Sequence, residues 1–397
     1  MSGVLAALGF DIKRLGYRRA FDGVRAVSIL LVALTHGGAS FRGGYIGLDM
    51  FFVLSGFLIT SLLLEEWSVT GRIDRRAFYG RRARRLLPAL FATLAGFWVL
   101  KLAMPDLDHG WSFLPRTLAI VFYGGNWVLV EAGDRALGAL DQTWSLAVEE
   151  QFYIVWPLVF IACFRRRWRS EKILLLLVGF AAASAAWRAY LYAVPHSSIP
   201  FGPYGNSTYW RSDTHADGLA LGCALAVALA IPRWRALLEK ACRWTVPVIA
   251  ALLFLGFVVD KTSIYTRWMY LGGWSAVNLS VAFLLAHIYV RERAILPRLL
   301  GTSPLVWIGK RSYGIYLVHL PIFFAISPAR VHLSMWPLFG LRMLVTLSIA
   351  AAMFRWVETP FLRRKRYPSA GQTREPIDGS EVPGRPLEGP AVPVVGG

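Results

Sequence analysis

The sequence predicts an all-α integral membrane protein: a polytopic bundle of about ten transmembrane helices with one re-entrant or partly buried segment on the outer side. Three observations predict it. Apolar runs long enough to cross a ~30 Å hydrocarbon core recur along the chain. Of 397 residues, 56% are hydrophobic and 17% charged, at a mean hydropathy of +0.47. The basic residues, which leave a formal net charge of +19, fall in short clusters between the apolar runs, as they do in cytoplasmic loops. No DNA- or RNA-binding motif accompanies that charge, so it argues for a membrane surface and against nucleic acid.

Residues 1–20 carry Lys13, Arg14, Arg18 and Arg19, which holds the N-terminus in the cytoplasm. No cleavage site precedes the first apolar run, so that run is expected to be a span and not a removed signal. The membrane domain covers 21–366. Its first span runs from Phe21 to His36 and returns from Gly47 to Leu64, into the basic loop RIDRRAFYGRRARR. Pro88 to Met104 leads outward. Trp111 to Val130 has the length of a span, but crossing there would put the basic run FRRRWRSEK (164–172) outside. It is therefore expected to turn back, its backbone satisfied by protein or water. Spans over 144–163, 173–192, 217–231, 246–259, 270–290, 312–326 and 338–357 then alternate, bringing both termini to the cytoplasm. The Pro-, Gly- and Glu-rich stretch 367–397 is expected to be a disordered tail.

Ionisable side chains at membrane depth are costly and commonly functional. Arg25 and His36 are eleven residues apart, about three helical turns, so they share a face and stand ~16 Å apart along the axis. Asp49 opens the returning span. Glu149 and Glu150 lie about one turn inside the outer end of the helix over 144–163, with Tyr153 four residues beyond Glu149 on the same face. Neighbouring glutamates point about 100° apart, so only one of the two is expected in a given site. Arg211, Asp213, His215 and Asp217 cluster at the outer mouth of a later span, and His319 sits mid-span. A His beside a carboxylate suits general-base activation of a hydroxyl. Plainer readings remain open: Arg25 can snorkel to headgroups, the glutamates can complement a helix start, and His319 can be a satisfied bundle residue. RSDTHAD (211–217) can be a helix-capping loop. Its spacing, like that of the three cysteines, does not make a metal site, and Cys163, Cys223 and Cys242 are expected to form no disulfide. No Gly-rich nucleotide loop is present.

Arg25 and His36 at this spacing, followed by GLDMFFVLSGFLIT (47–60), resemble the membrane acyltransferase-3 family, which O-acylates sugars and other hydroxyl acceptors. TWSLAVEEQFYIVWPL (143–158) and SYGIYLVHLP (312–321) match in order, and FYGRRARRLLP (78–88) looks like the family's basic motif. The resemblance implies an O-acyltransferase that binds no cofactor and uses acyl-CoA, most simply acetyl-CoA, as co-substrate. The acceptor is expected to be a hydroxyl of a glycan, lipid-linked saccharide or glycosylated small molecule. His36 is expected as base or nucleophile, Asp49 or Glu149 as its orienting carboxylate, and Arg25 as a donor contact. Arg82 and Arg85 match the family's paired arginines, and arginine forks suit the phosphates of acyl-CoA. Tyr153, Arg211, Asp213, Asp217 and His319 are the substrate-binding candidates. Some family members carry a second, soluble transferase domain; here a short tail follows Arg366, so transfer is expected within the membrane domain or through other glycan-synthesis proteins. A glycan exporter or a scaffold of a glycan-synthesis complex is the competing reading.

Overall fold

The computed structural model describes residues 2–38, 42–133, 136–193, 207–243, 245–259 and 266–363. Among them the chain is helical, with no strand, as expected. The tail 367–397 lies outside the described residues.

Helices α1 (Ser2–Ala7) and α2 (Arg19–His36) open the chain, followed by α3 (Ile46–Thr70) and α4 (Arg75–Ala103). Two short helices, α5 (Phe113–Val121) and α6 (Gly125–Ala132), precede α7 (Thr143–Arg165) and α8 (Ser170–Ala193). Next come α9 (Ser212–Leu229), α10 (Pro232–Ala241), α11 (Thr245–Val259) and α12 (Trp274–Val290). The small helices α13 (Ile295–Leu300) and α14 (Ser303–Lys310) lead into α15 (Ser312–Ala325), α16 (Met335–Met353) and α17 (Thr359–Arg363).

Among the described residues, six helices are long and apolar enough to cross a bilayer: Gly43–Thr70, Arg75–Ala103, Thr143–Arg165, Ser170–Ala193, Met269–Val290 and Met335–Leu362. The α9–α10 pair is bent by 106°, and α15 is apolar but shorter. Helix α2 holds Arg19, Asp22 and Arg25 in its first two turns, which lowers its mean hydropathy.

The centre of the bundle is tight because glycine lets backbones touch. A Cβ at Gly56 of α3 would meet the Leu219 carbonyl at 2.0 Å, and one at Gly222 of α9 would meet the Val53 carbonyl at 2.0 Å. Close backbone approach of this kind drives helix association where lipid offers no hydrophobic force.

Long-range bonds tie the N-terminal segment to several helix ends. Asp11 N donates to Ala230 O (2.7 Å), Ser170 N to Leu8 O (2.9 Å) and Arg18 Nη1 to Tyr289 O (2.8 Å). The loops after α7, α9 and α12, all basic, therefore share one end of the bundle with the N-terminal segment. The stretch 111–130 is not one continuous helix: α5 and α6 break at Phe122–Gly124, where Tyr123 has φ 53°. Protein groups satisfy the break. Gln151 Nε2 donates to Tyr123 O (2.7 Å) and Asn126 Oδ1 (2.9 Å), and Asn126 Nδ2 donates to Ser212 Oγ (2.9 Å).

Candidate active site

The sequence candidates separate into three buried polar clusters. The first lies near the Arg19 end of α2, where Arg25 pairs with Asp22 at 3.0 Å. Arg82 of α4 pairs with Glu150 of α7, and its guanidinium stacks 3.4 Å from the Tyr153 ring centroid. Tyr153 Oη donates to Glu149 Oε1 at 2.6 Å, and Ser55 of α3 donates to the same carboxylate. The two neighbouring glutamates therefore do reach one cluster, contrary to the expectation that only one faces it. Arg82 lies between them and compensates the 100° divergence of their side chains. Arg85 makes no hydrogen bond or ion pair among the described residues, and its side chain is exposed. Glu149, Glu150 and Glu358 lie within electrostatic reach of it without pairing.

The second cluster is the meeting of α2 and α15. His319 is fully buried, while His36 is half-buried and helps line a cavity of about 580 Å³. His319 Nδ1 lies 2.7 Å from Tyr316 O, and His319 Nε2 lies 3.2 Å from His36 Nδ1. A carbonyl only accepts, so His319 Nδ1 carries the proton and its neutral Nε2 accepts. His36 Nδ1 is then the donor of that bond, so the lone pair of the neutral ring falls on Nε2; the Val32 carbonyl is a second hydrogen-bond partner of the same ring. Neither Asp49 nor Glu149 meets His36. Helix α3 does pack on the end of α2, with Gly47 against Ser28 and Leu31, but Asp49 faces Arg188 and Asp217, and α15 brings a second histidine to His36 in place of the expected carboxylate.

The cavity is also lined by Asp106, Leu107, Leu320, Phe323, Phe324, Arg330 and Arg342. Asp108 pins the loop that supplies Asp106 and Leu107. It accepts from Ala139 N (2.8 Å) and Arg116 Nη1 (2.7 Å) and lies 3.1 Å from Lys101 Nζ. Burial by itself would raise the Asp108 carboxyl, but the Ala139 N–H, Lys101 and Arg116 together outweigh it and hold the group below the usual carboxylate range.

The third cluster centres on Asp217 of α9, which takes a two-pronged pair from Arg188 of α8 (3.0 and 2.9 Å) and a bond from Ser275 (2.8 Å). Asp49 is buried within electrostatic reach of Arg188 and Asp217. Arg211 binds Asp213 at 2.7 Å, and Trp187 donates to Asp213 at 2.9 Å. Asp49, Asp213 and Asp217 thus stand apart from His36, among basic partners. His215 is enclosed by the rings of Trp144, Tyr209 and Trp274. No group of three or more potential ligands able to hold a metal occurs among the described residues.

Sequence reasoning missed Arg188, Arg342 and the role of His319 as partner to His36. Both arginines interrupt apolar helices, and that signal alone marks them.

A helical membrane bundle with buried arginine–carboxylate pairs, a histidine pair and a cavity defines a class, and comparison with known proteins identifies it. The chain matches the acyltransferase domain family over residues 18–355 and belongs to it. It is 32% identical over 361 residues to the peptidoglycan O-acetyltransferase OatA of Listeria monocytogenes, covering 87% of this chain and 56% of that protein. It is 30% identical over 377 residues to the O-acetyltransferase OatA of Staphylococcus aureus, covering 90% of this chain and 60% of that protein. The chain therefore spans little more than half the length of these relatives. No solved structure matches it.

Proposed function

We propose that this chain is a membrane O-acyltransferase that moves an acyl group, most simply acetyl, from cytoplasmic acyl-CoA to a hydroxyl of a glycan, lipid-linked saccharide or glycosylated small molecule. The observation that carries this reading is the His36 imidazole at the wall of the 580 Å³ cavity, its Nδ1 bonded to His319, a volume in the range of small-ligand sites. Membership of the family and the names of the relatives support it.

The gathering of basic loops at one end supports an orientation in the cytoplasmic membrane with both termini inside. The Ser170–Leu8 bond supports about ten spans with 111–130 turning back, since it ties the loop after α7 to the N-terminal segment. In that orientation Arg82 and Arg85 face the donor's entry, and Arg85 is free to take a phosphate. Arg25 holds the donor further along the same face of α2 toward His36. Glu149 and Tyr153 shape that passage.

His36 Nε2 takes the acceptor's hydroxyl proton as the oxygen attacks the thioester carbonyl. The C–O bond forms, the C–S bond breaks, and CoA leaves as thiolate. The proton held on His36 returns to that thiolate, giving ester and free thiol. If His36 attacks first, Nε2 carries the acyl group before the hydroxyl takes it. Asp49, Arg211, Asp213 and Asp217 support the bundle that frames the acceptor.

The test is acetyl transfer by the protein purified into lipid nanodiscs with labelled acetyl-CoA and a saccharide acceptor. Wild type should release thiol and form ester, and His36→Ala should lose at least ~10²-fold in turnover, the scale of a positioned general base. An exporter or scaffold releases no thiol. A folded His36→Ala protein working near the wild-type rate overturns the mechanism.

A further inference from the structure

Resting on the acyltransferase reading, we propose that the acceptor carries an anionic group, a carboxylate or a phosphate, which Arg342 recognises in the cavity beside His36.

Arg342 lies on α16, 6% exposed, inside the wall of that cavity. Its guanidinium donates to three backbone carbonyls: Nε to Ile326 O (2.9 Å), Nη1 to Gly37 O (3.0 Å) and Nη2 to Phe323 O (3.1 Å). A guanidinium has five N–H donors, so two remain. None of its partners is a carboxylate, and Arg342 forms no ion pair among the described residues.

The neighbouring charges do not supply one. Arg330 and Asp106 line the same cavity and pair with each other at 2.8 Å. The cavity therefore holds two arginines and one carboxylate, and the surplus cation is the buried one. The carbonyls at the ends of α2 and α15 explain how the cation is held, since helix C-termini carry partial negative charge. They do not neutralise it: a buried unit charge still favours an anion beside it.

Position gives the charge its meaning. Gly37 follows His36 directly, so the anchor for the guanidinium is also the end of the helix that presents the base. Leu320, Phe323 and Phe324 offer an apolar wall for the carbon face of a sugar. An anionic saccharide bound here would have its charge on Arg342 and a hydroxyl within the cavity that His36 lines.

The test is binding and transfer by the full chain in nanodiscs, using acceptors that differ by one charge. For a carboxylate the pair is a methyl hexuronide and its methyl ester; for a phosphate it is an alkyl glycosyl phosphate and the neutral alkyl glycoside. Titration calorimetry without donor should show one anion binding at least tenfold more tightly than its neutral twin, as expected for a hydrogen bond to a charged group. The pair that discriminates identifies the source of the charge. Arg342→Gln should abolish the preference, and Arg342→Lys, which keeps the charge, should retain part of it. The wild-type comparison needs no variant, so misfolding of Arg342→Gln leaves the proposal testable. Equal binding within both pairs, or no binding of either anion, overturns it and leaves Arg342 as a cap on two helix ends. Acetyl transfer is read separately. Transfer without anion preference sinks this proposal alone, whereas anion preference without any use of acetyl-CoA sinks the acyltransferase reading.

Discussion

Replacing His319 by phenylalanine isolates what the second histidine does for the first. The ring volume is kept, and His319 already packs among rings, 5.8 Å from the Phe323 centroid and 5.6 Å from that of Tyr316. What disappears is the acceptor 3.2 Å from His36 Nδ1. Two effects follow, and their sizes differ. A neutral hydrogen bond of about 1 kcal/mol holds His36 in the tautomer with its lone pair on Nε2. Losing it lowers that population from about 85% to no less than about half, under twofold, since the Val32 carbonyl still bonds the ring. When His36 takes the acceptor's proton it becomes a cation, and the same bond strengthens to about 1.5–3 kcal/mol. Only the increase counts toward rate, roughly 0.5–2 kcal/mol, or about 2- to 30-fold in kcat. The second effect dominates. The assay is thiol release from acetyl-CoA at saturating acceptor, with a thermal melt to show that the bundle folds. His319→Gln places an amide near the position of Nε2 and should recover part of the rate, whereas His319→Asn mimics only Nδ1 and should not. Unchanged kcat in folded His319→Phe would refute the relay. A loss as large as that of His36→Ala would show that His319 itself touches the substrate.

The other predictions concern the donor end, the topology and the cavity loop. Arg82→Ala combined with Arg85→Ala should raise the KM for acyl-CoA while the protein still inserts; unchanged donor dependence would leave these arginines topogenic only. A cysteine placed at Arg167 should resist an impermeant thiol reagent in intact cells, because Ser170 is bonded to Leu8 beside the N-terminal segment; labelling there would show that 111–130 crosses. Asp108 has a carboxyl held low in the folded state, so its stabilising effect is present above its unfolded value of about 3.9 and fades as pH falls through the lower folded value. Melting temperature should therefore drop below about pH 4, and Asp108→Asn, already weaker at neutral pH, should flatten that part of the profile. A parallel fall in the variant would assign the acid sensitivity to other groups.

The class of the protein was legible in the sequence because hydropathy and charge position are local quantities. A helix in lipid must satisfy its own backbone, so apolar length alone marks it, and the clusters around Arg18, Arg75, Arg165 and Arg291 foretold a common basic end. Periodicity likewise put Arg25 and His36 on one face of α2, since both belong to one helix with a fixed rise. What stands across from that face was not legible. His36 and His319 are 283 residues apart, and no spacing rule relates residues on different helices. The carboxylate expected beside His36 was drawn from chemistry; the packing of α15 against α2 supplies an imidazole instead, and Asp49 goes to the cluster around Arg188. Glu149 and Glu150 show the same limit from the other side. On an isolated helix they diverge, but Arg82 and Tyr153 reach between them, so one cluster holds both. Sequence determined which ionisable side chains interrupt apolar helices, because hydropathy is read locally along the chain. Only the tertiary structure decided which of them meet, because pairing depends on how helix faces turn toward one another.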